Sequence, residues 1–538
     1  MPAPLPPSLF ARRAGWPALL LALSLSTLTA CQKSGTPEEV ASGAGLTSTA
    51  DSAASSPVAA ASALLAEPRD PTPSLATQAA STTIPPIVQQ ELDKAKVSPE
   101  HVALLVVPVD GGPPLVNHRT AEQMNPASVM KLITTAAALD LLGPSYRWHT
   151  RIWTDGTLQN GTLNGNVYVQ GRGDPKLVVE RLWLLMRELQ HAGIRRIGGD
   201  IVLDRSAFDV PPVDPGSFDN DPLRPYNARP DALLVNFKAF TLQITPDESQ
   251  KLAHVGLEPP LEGVTLPPSL PLAEGKCAPW LNKLAADTLK DRNLVLPADP
   301  YPASCGIQQL TLAHPAPEQF APRAVAGMWK ALGGELQGSI RDGAVPEAVR
   351  KRRPVADSAS PTVAEVVHDI NKFSNNVMAQ QVFLTLGLEH SGVGSLASAN
   401  EALTQWWQHR LGDTPLPAVQ NGSGLSRDGR VSASSLGAML QRVWRTPGMP
   451  EFVASLPIAG VDGTLRHTHT AYKGNAHLKT GTLKDASALA GYVLSDTGRR
   501  YVMVAMANGA NAQSARPAFQ ALMEWIITQP VASSGSKS

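Results

Sequence analysis

The sequence has no surplus of charge: 46 Lys and Arg stand against 46 Asp and Glu. A balanced chain lacks the basic field that draws a protein onto a phosphate backbone, so no nucleic-acid partner is expected. Aromatic residues are scarce at 5%, while hydrophobic types reach 43% of the 538 residues. Ala and Leu make up the difference, as in a soluble globular protein long enough for two or three domains with a real core. The apolar run Trp16-Pro17-Ala18-Leu19-Leu20-Leu21-Ala22-Leu23 falls short of the roughly 20 residues a spanning helix needs. The 12 histidines show no ligand spacing with an open carboxylate partner, so no metal and no other cofactor is expected.

Cysteine is nearly absent, with 3 residues in the chain. Arg12 and Arg13 precede the short apolar run, which reads as an export signal over 1–30. The run ends Leu28-Thr29-Ala30-Cys31, similar to a bacterial lipoprotein processing box, so Cys31 is expected to become a lipidated N-terminus. Each buried methylene contributes about 0.8 kcal/mol, and several acyl chains would hold the protein on a membrane. Gln32 in place of Asp after the cysteine fits outer-membrane sorting, facing the periplasm of a Gram-negative host. Cys277 and Cys305 are left, and an exported pair favours a structural disulfide. Residues 31–84 are Ala, Ser, Thr, Pro and Gly with scattered charges, too little apolar area to offset ordering. They read as a tether, and 530–538 as a disordered tail.

Structure is expected from 85 onward. A helix over 87–95, a strand over 102–107 and its return at 115–116 come first. Then follows Asn125-Pro126-Ala127-Ser128-Val129-Met130-Lys131-Leu132, running to Leu142-Gly143-Pro144. It reads as a buried helix with Pro126 in the first turn and Gly143 at the stop. From 149 to 352 the pattern changes to short strands with Gly and Asn turns, a helix over 178–191, a loop over 205–230, a β-rich stretch over 233–312 holding both cysteines, and a helix over 321–332. This block reads as inserted material. The first domain resumes over 353–529, with an amphipathic helix over 362–372, another to 386, a hairpin over 488–494 and 501–507, and a last helix burying Phe519, Leu522, Met523 and Ile526. The predicted class is α+β multidomain: an antiparallel sheet flanked by helices, interrupted by a large β-rich insertion.

The chemistry rests on three elements in order: Ser128-x-x-Lys131, Ser374-x-Asn376 and Lys479-Thr480-Gly481. Ser128 and Lys131 share one helix face. A desolvated ammonium can become neutral and take a serine proton. Each element alone is weak, but the ordered trio on a helix, a helix junction and a strand is the signature of penicillin-binding proteins and serine β-lactamases.

Ser128 and Ser374 are 246 residues apart, a gap far longer than most relatives have. With Gly173-Asp174-Pro175, Ile197-Gly198-Gly199-Asp200, Gly422-Ser423-Gly424-Leu425-Ser426-Arg427 and Leu456-Pro457-Ile458-Ala459-Gly460, the chain from about 88 to 528 resembles the class C low-molecular-mass penicillin-binding proteins, of the D-alanyl-D-alanine carboxypeptidase/endopeptidase type. Asn421 departs from the family's Asp at that position, which puts a local hydrogen bond in question. The Gly422-Ser423-Gly424 segment reads as a structural loop near the site, and Gly173-Asp174-Pro175 as a turn.

The resemblance implies that Ser128 is the nucleophile, Lys131 its base, and the Ser128 and Thr482 amides the oxyanion donors. Ser374 with Lys479 would relay the proton to the leaving amine, and Asn376 would hold the substrate amide. Lys479, Thr480, Gly481 and Thr482 would bind the substrate's terminal carboxylate. Asp221, with Asp219 and Asp231 as competitors, would read the diaminopimelate amine. The implied partners are peptidoglycan stem peptides and cross-links, β-lactams as covalent inhibitors, and a membrane through the lipid anchor. Two rivals remain: a β-lactamase or esterase of the same clan, for which no deacylating Glu stands out, and a peptidoglycan-binding lipoprotein without activity, although no catalytic residue is missing.

Overall fold

The computed structural model describes residues 83–529. The expected export signal, Cys31, most of the tether and the 530–538 tail lie outside the described residues.

The first sheet has five antiparallel strands in the order Ala476–Leu483, Ala486–Leu494, Arg500–Asn508, Val102–Pro108, Val116–His118. All seven residues of Val102–Pro108 are buried. A strand covered on both faces needs apolar residues at every position, hence its continuous aliphatic run. Leu104 and Val106 face the layer that holds Phe519 and Leu522 of the helix Arg516–Ile527. Ala103, Leu105 and Val107 face Leu132, Ile133 and Ala136 of the helix Lys131–Leu141. This is the expected antiparallel sheet flanked by helices.

The helix Val363–Phe373 starts with a capping box, in which Thr362 Oγ1 accepts from Glu365 N–H and the Glu365 carboxylate accepts from Thr362 N–H. Its stripe of Val363, Val366, Val367 and Ile370 is buried, and it stops at Ser374, where φ turns to 58°. Asn375 then caps the helix Asn376–Ser391 by accepting from Met378 N–H at 3.0 Å. The Ser374 and Asn376 side chains are thus fixed between two helix ends.

The inserted material hangs on a stem of two antiparallel strands, Arg147–Thr154 and Ala356–Thr362. The expected boundary at 352 falls just ahead of the returning strand. Strand Val167–Gln170 joins that sheet antiparallel to Arg147–Thr154, Ile201–Asp204 and Ile340–Asp342 follow parallel to it, and a second sheet forms around Ala239–Asp247. One apolar core containing Val169, Leu185, Leu203, Phe240 and Leu242 serves both sheets. The stretch expected to be β-rich from 233 to 312 also holds a 15-residue helix, Cys277–Asp291. Its buried residues, Trp280, Leu284 and Thr288, form a stripe one residue wide, which is why strand character dominated the sequence pattern. A disulfide joins Cys277, at the helix start, to Cys305, with the Cα atoms 4.9 Å apart. The 205–230 loop reaches back to the catalytic body, where Phe218 packs with Ala127, Leu483 and Ala486.

Candidate active site

Ser128 lies in a 3-10 turn, Ala127–Met130, that runs into the helix Lys131–Leu141. Pro126 does not occupy a first α-helical turn, as the sequence pattern predicts. It caps the 3-10 turn, and Ala127 adopts φ 47°. A residue with a Cβ enters the left-handed region only when its neighbours hold it there. Asn125 Oδ1 accepts from Ala127 N–H at 2.9 Å, while Asn125 N–H donates to Asn508 Oδ1 at 2.7 Å and Asn508 Nδ2 donates to Asn125 O at 3.0 Å. On the far side, a Cβ on Gly424 would collide with the Ala127 carbonyl oxygen, and one on Gly481 with that of Pro126. Two glycines therefore let the loop and the strand close directly onto the Ser128 turn.

Lys131 and Lys479 are both fully buried. Lys131 Nζ lies 2.9 Å from Ser128 Oγ, 2.6 Å from Asn376 Oδ1 and 2.6 Å from the Ser423 carbonyl oxygen. Burial first, and the nearby Lys479 charge second, hold its pKa well below the ordinary lysine value. A neutral amine has two N–H donors and one lone pair. The amide and carbonyl oxygens can only accept, so in the neutral form they would take both protons and leave the lone pair to the Ser128 hydroxyl. Lys479 Nζ donates to Ser374 Oγ at 2.9 Å and to the Thr480 carbonyl oxygen at 2.7 Å, and burial lowers its pKa to about 7.

The strand Ala476–Leu483 is the sheet's edge. Residues 457–459 cover its first part: Leu478 N–H donates outward to the Pro457 carbonyl at 2.9 Å, and Ala459 N–H donates to Ala476 O at 2.9 Å. The two-residue repeat of a strand puts the N–H groups of Thr480 and Thr482 on the same outer side. There the cover has ended and the Ser128 turn begins. Gly481 packs so close to that turn that its Cβ position would be 3.1 Å from Ser128 N. The open edge of the strand at Thr480 and Thr482 therefore lies against the turn that carries Ser128.

The remaining motif residues surround this gap. Asn376 Nδ2 donates to the Tyr226 carbonyl oxygen at 3.3 Å, which brings the inserted loop to the site. Thr480 Oγ1 donates to Thr464 Oγ1 at 2.9 Å, and Arg516 Nη2 donates to Thr482 Oγ1 at 2.7 Å. Asn421 makes the bonds its position needs: Oδ1 accepts from Ser423 N–H at 3.1 Å and Nδ2 donates to Leu425 O at 2.9 Å. An aspartate could not donate to that carbonyl. Asp231 is buried and paired with Lys238 and Arg205, and so serves the scaffold. Asp219 locks the loop by accepting from Tyr226 OH and Asn227 Nδ2. Asp221 is exposed on the loop surface and pairs with Arg224 at 2.7 Å, outside the lysine-centred cluster.

Several contributors carry no signal that the motif search reads. Asn508 and the carbonyls of Ser423 and Tyr226 enter through backbone geometry or long-range pairing. The flanking pair Gly422 and Gly424 was the available hint for Ser423.

A family model described as the D-Ala-D-Ala carboxypeptidase 3 (S13) family matches residues 87–529. The chain is 30% identical over 413 residues to a D-alanyl-D-alanine carboxypeptidase of Actinomadura sp. (strain R39), spanning 72% of this chain and 74% of that one. To the D-alanyl-D-alanine carboxypeptidase DacB of Haemophilus influenzae it is 26% identical over 402 residues, spanning 71% and 80%. The fold is similar to the crystal structure of penicillin binding protein 4 from H. influenzae, with a TM-score of 0.65 at 21% identity, over 82% of this chain and 99% of that one. That protein has also been solved in complex with a β-lactam. With the family model covering nearly all the described residues and the serine, asparagine and two lysines meeting in one cleft, the chain belongs to the D-Ala-D-Ala carboxypeptidase 3 (S13) family and is a serine-type D-Ala-D-Ala carboxypeptidase.

Proposed function

We propose that this chain works through an acyl-enzyme on Ser128, cleaves D-Ala-diaminopimelate cross-links as well as terminal D-Ala-D-Ala bonds, and binds penicillin covalently. One observation carries the reading: the Lys131 amine lies 2.9 Å from Ser128 Oγ and 2.6 Å from each of two oxygens that can only accept, so that once neutral its lone pair is left for the Ser128 hydroxyl. In this reading Ser128 Oγ attacks the carbonyl carbon of the penultimate D-alanine, and its proton passes to Lys131 Nζ. The Ser128 and Thr482 amides hold the negative oxygen of the tetrahedral intermediate, and losing one such donor costs about 10²–10³ in rate. Ser374, hydrogen-bonded to Lys479, hands its proton to the leaving amine and is resupplied with the proton Lys131 took from Ser128, which leaves Lys131 neutral again. Water then hydrolyses the ester, with Lys131 again accepting the proton. A cross-link presents a D-centre with its own carboxylate, so the same groups serve both cleavages. A β-lactam keeps its leaving group tethered, which prolongs the acyl-enzyme.

Asp221 is the carboxylate we assign to the diaminopimelate amine, supported by its exposure on the loop whose Tyr226 carbonyl meets Asn376. Cys31, on the sequence reading, anchors the enzyme to the periplasmic side of the outer membrane. The decisive experiment is mass spectrometry after penicillin treatment, with parallel digestion of cross-linked muropeptides. The expected adduct sits on Ser128 and vanishes in Ser128→Ala, and dimeric muropeptides fall to monomers. An adduct elsewhere, or rapid penicillin turnover, would overturn the acyl-enzyme reading. Intact dimers alongside cleaved D-Ala-D-Ala would remove the endopeptidase part.

A further inference from the structure

Lys479 alone is a weak anchor for a substrate carboxylate. Its amine is buried, already donates to Ser374 and Thr480, and loses half its charge near pH 7. A permanent cation stands on the other side of the strand. Arg516 is the first residue of the helix Arg516–Ile527, and its Nη2 donates to Thr482 Oγ1 at 2.7 Å. Among the described residues no carboxylate pairs with it, whereas Arg427 meets Asp485 and Lys372 meets Asp462. A guanidinium is charged at every working pH, is weakly hydrated, and offers a planar fork that matches a carboxylate. Beside it opens a cavity of about 510 Å³, bordered by Thr480, Thr482 and Ser487 and floored by Leu465 and Phe519. With Arg516 on the acceptor side of the Thr482 hydroxyl, that hydroxyl's own hydrogen is free for a ligand. Guanidinium and hydroxyl then form a donor pair at the end of the open strand edge.

We propose that Arg516 is a specificity-determining residue that, together with the Thr482 hydroxyl, holds the free carboxylate of the leaving D-amino acid. The inference rests on the peptidase reading and adds to it the group that supplies the permanent charge. The cavity beside the guanidinium exceeds what one alanine fills, so the same anchor accommodates the larger leaving group of a cross-link.

The test compares two substrates with the same acyl half. One is an N-acyl-D-Ala-D-Ala peptide. The other is the methyl ester of the same acyl-D-alanine, whose departing methanol carries no carboxylate. Arg516→Ala is expected to lower kcat/KM for the peptide at least tenfold, mainly through KM, and to affect the ester several-fold less. Arg516→Lys should recover part of the loss, because charge returns without the fork. Equal losses on both substrates, or no loss on the peptide, would overturn the assignment. Wild-type protein that cleaves neither substrate and is not acylated by penicillin would instead sink the peptidase reading, and the inference with it.

Discussion

Replacing Lys479 by Met should stabilise the protein at neutral pH while stopping the reaction. The amine is fully buried, and burial alone lowers its pKa from 10.5 to about 7. Between those two values the unfolded chain binds one proton more than the folded chain. Stability therefore rises with pH across that window, by about 1.4 kcal/mol for each pH unit. Over the whole window the wild type recovers about 5 kcal/mol that it lacks below pH 7. Methionine has a similar reach and nothing to titrate, so its variant does not suffer this penalty. It does lose the bonds to Ser374 Oγ and Thr480 O, about 1 kcal/mol each. The variant should thus be about 2 to 3 kcal/mol more stable than wild type at pH 6, and slightly less stable by pH 10. Removing the Lys479 charge also lets the Lys131 pKa climb, which acts in the same direction. Urea unfolding followed by circular dichroism at pH 6, 7, 8, 9 and 10 measures the difference. Two parallel stability curves would mean that the amine stays charged on folding, and the depressed lysine pair would have to be abandoned.

Gly481→Ala should leave a folded protein whose kcat/KM falls about 10²-fold, because the new methyl must push the strand or the Ser128 turn by several tenths of an ångström or more. Near wild-type kinetics would show that strand and turn do not meet as described. The double replacement Cys277→Ser and Cys305→Ser opens a loop spanning 28 residues. It should cost about 3.5 kcal/mol in urea unfolding on chain entropy. The penicillin acylation rate should stay within about twofold, since the bridge belongs to the inserted block; a collapse of that rate would tie the bridge to the site.

The parts of the site legible in the sequence are those fixed by local spacing. Ser128 and Lys131 share a face because a helical turn repeats at three to four residues, and Lys479 and Gly481 share a strand face because a strand repeats at two. The apolar stripe of the helix over 362–372 could likewise be read directly. What escaped was set by contact across the fold. Ala127 takes its left-handed φ because Asn125, Asn508 and the close approach of Gly424 hold it there, and no neighbour in sequence announces this. The helix Cys277–Asp291 escaped for a different reason: it buries so thin a stripe that its period is swamped by the strands around it.

The pairing of Val102–Pro108 with Arg500–Asn508 brings together segments roughly 400 residues apart. A chain leaving the ribosome cannot close its central sheet until almost the last segment has emerged, so early segments wait with an unsatisfied, sticky flank. If the chain is exported as proposed, such a delay would keep the traveller threadable until its last strand has emerged.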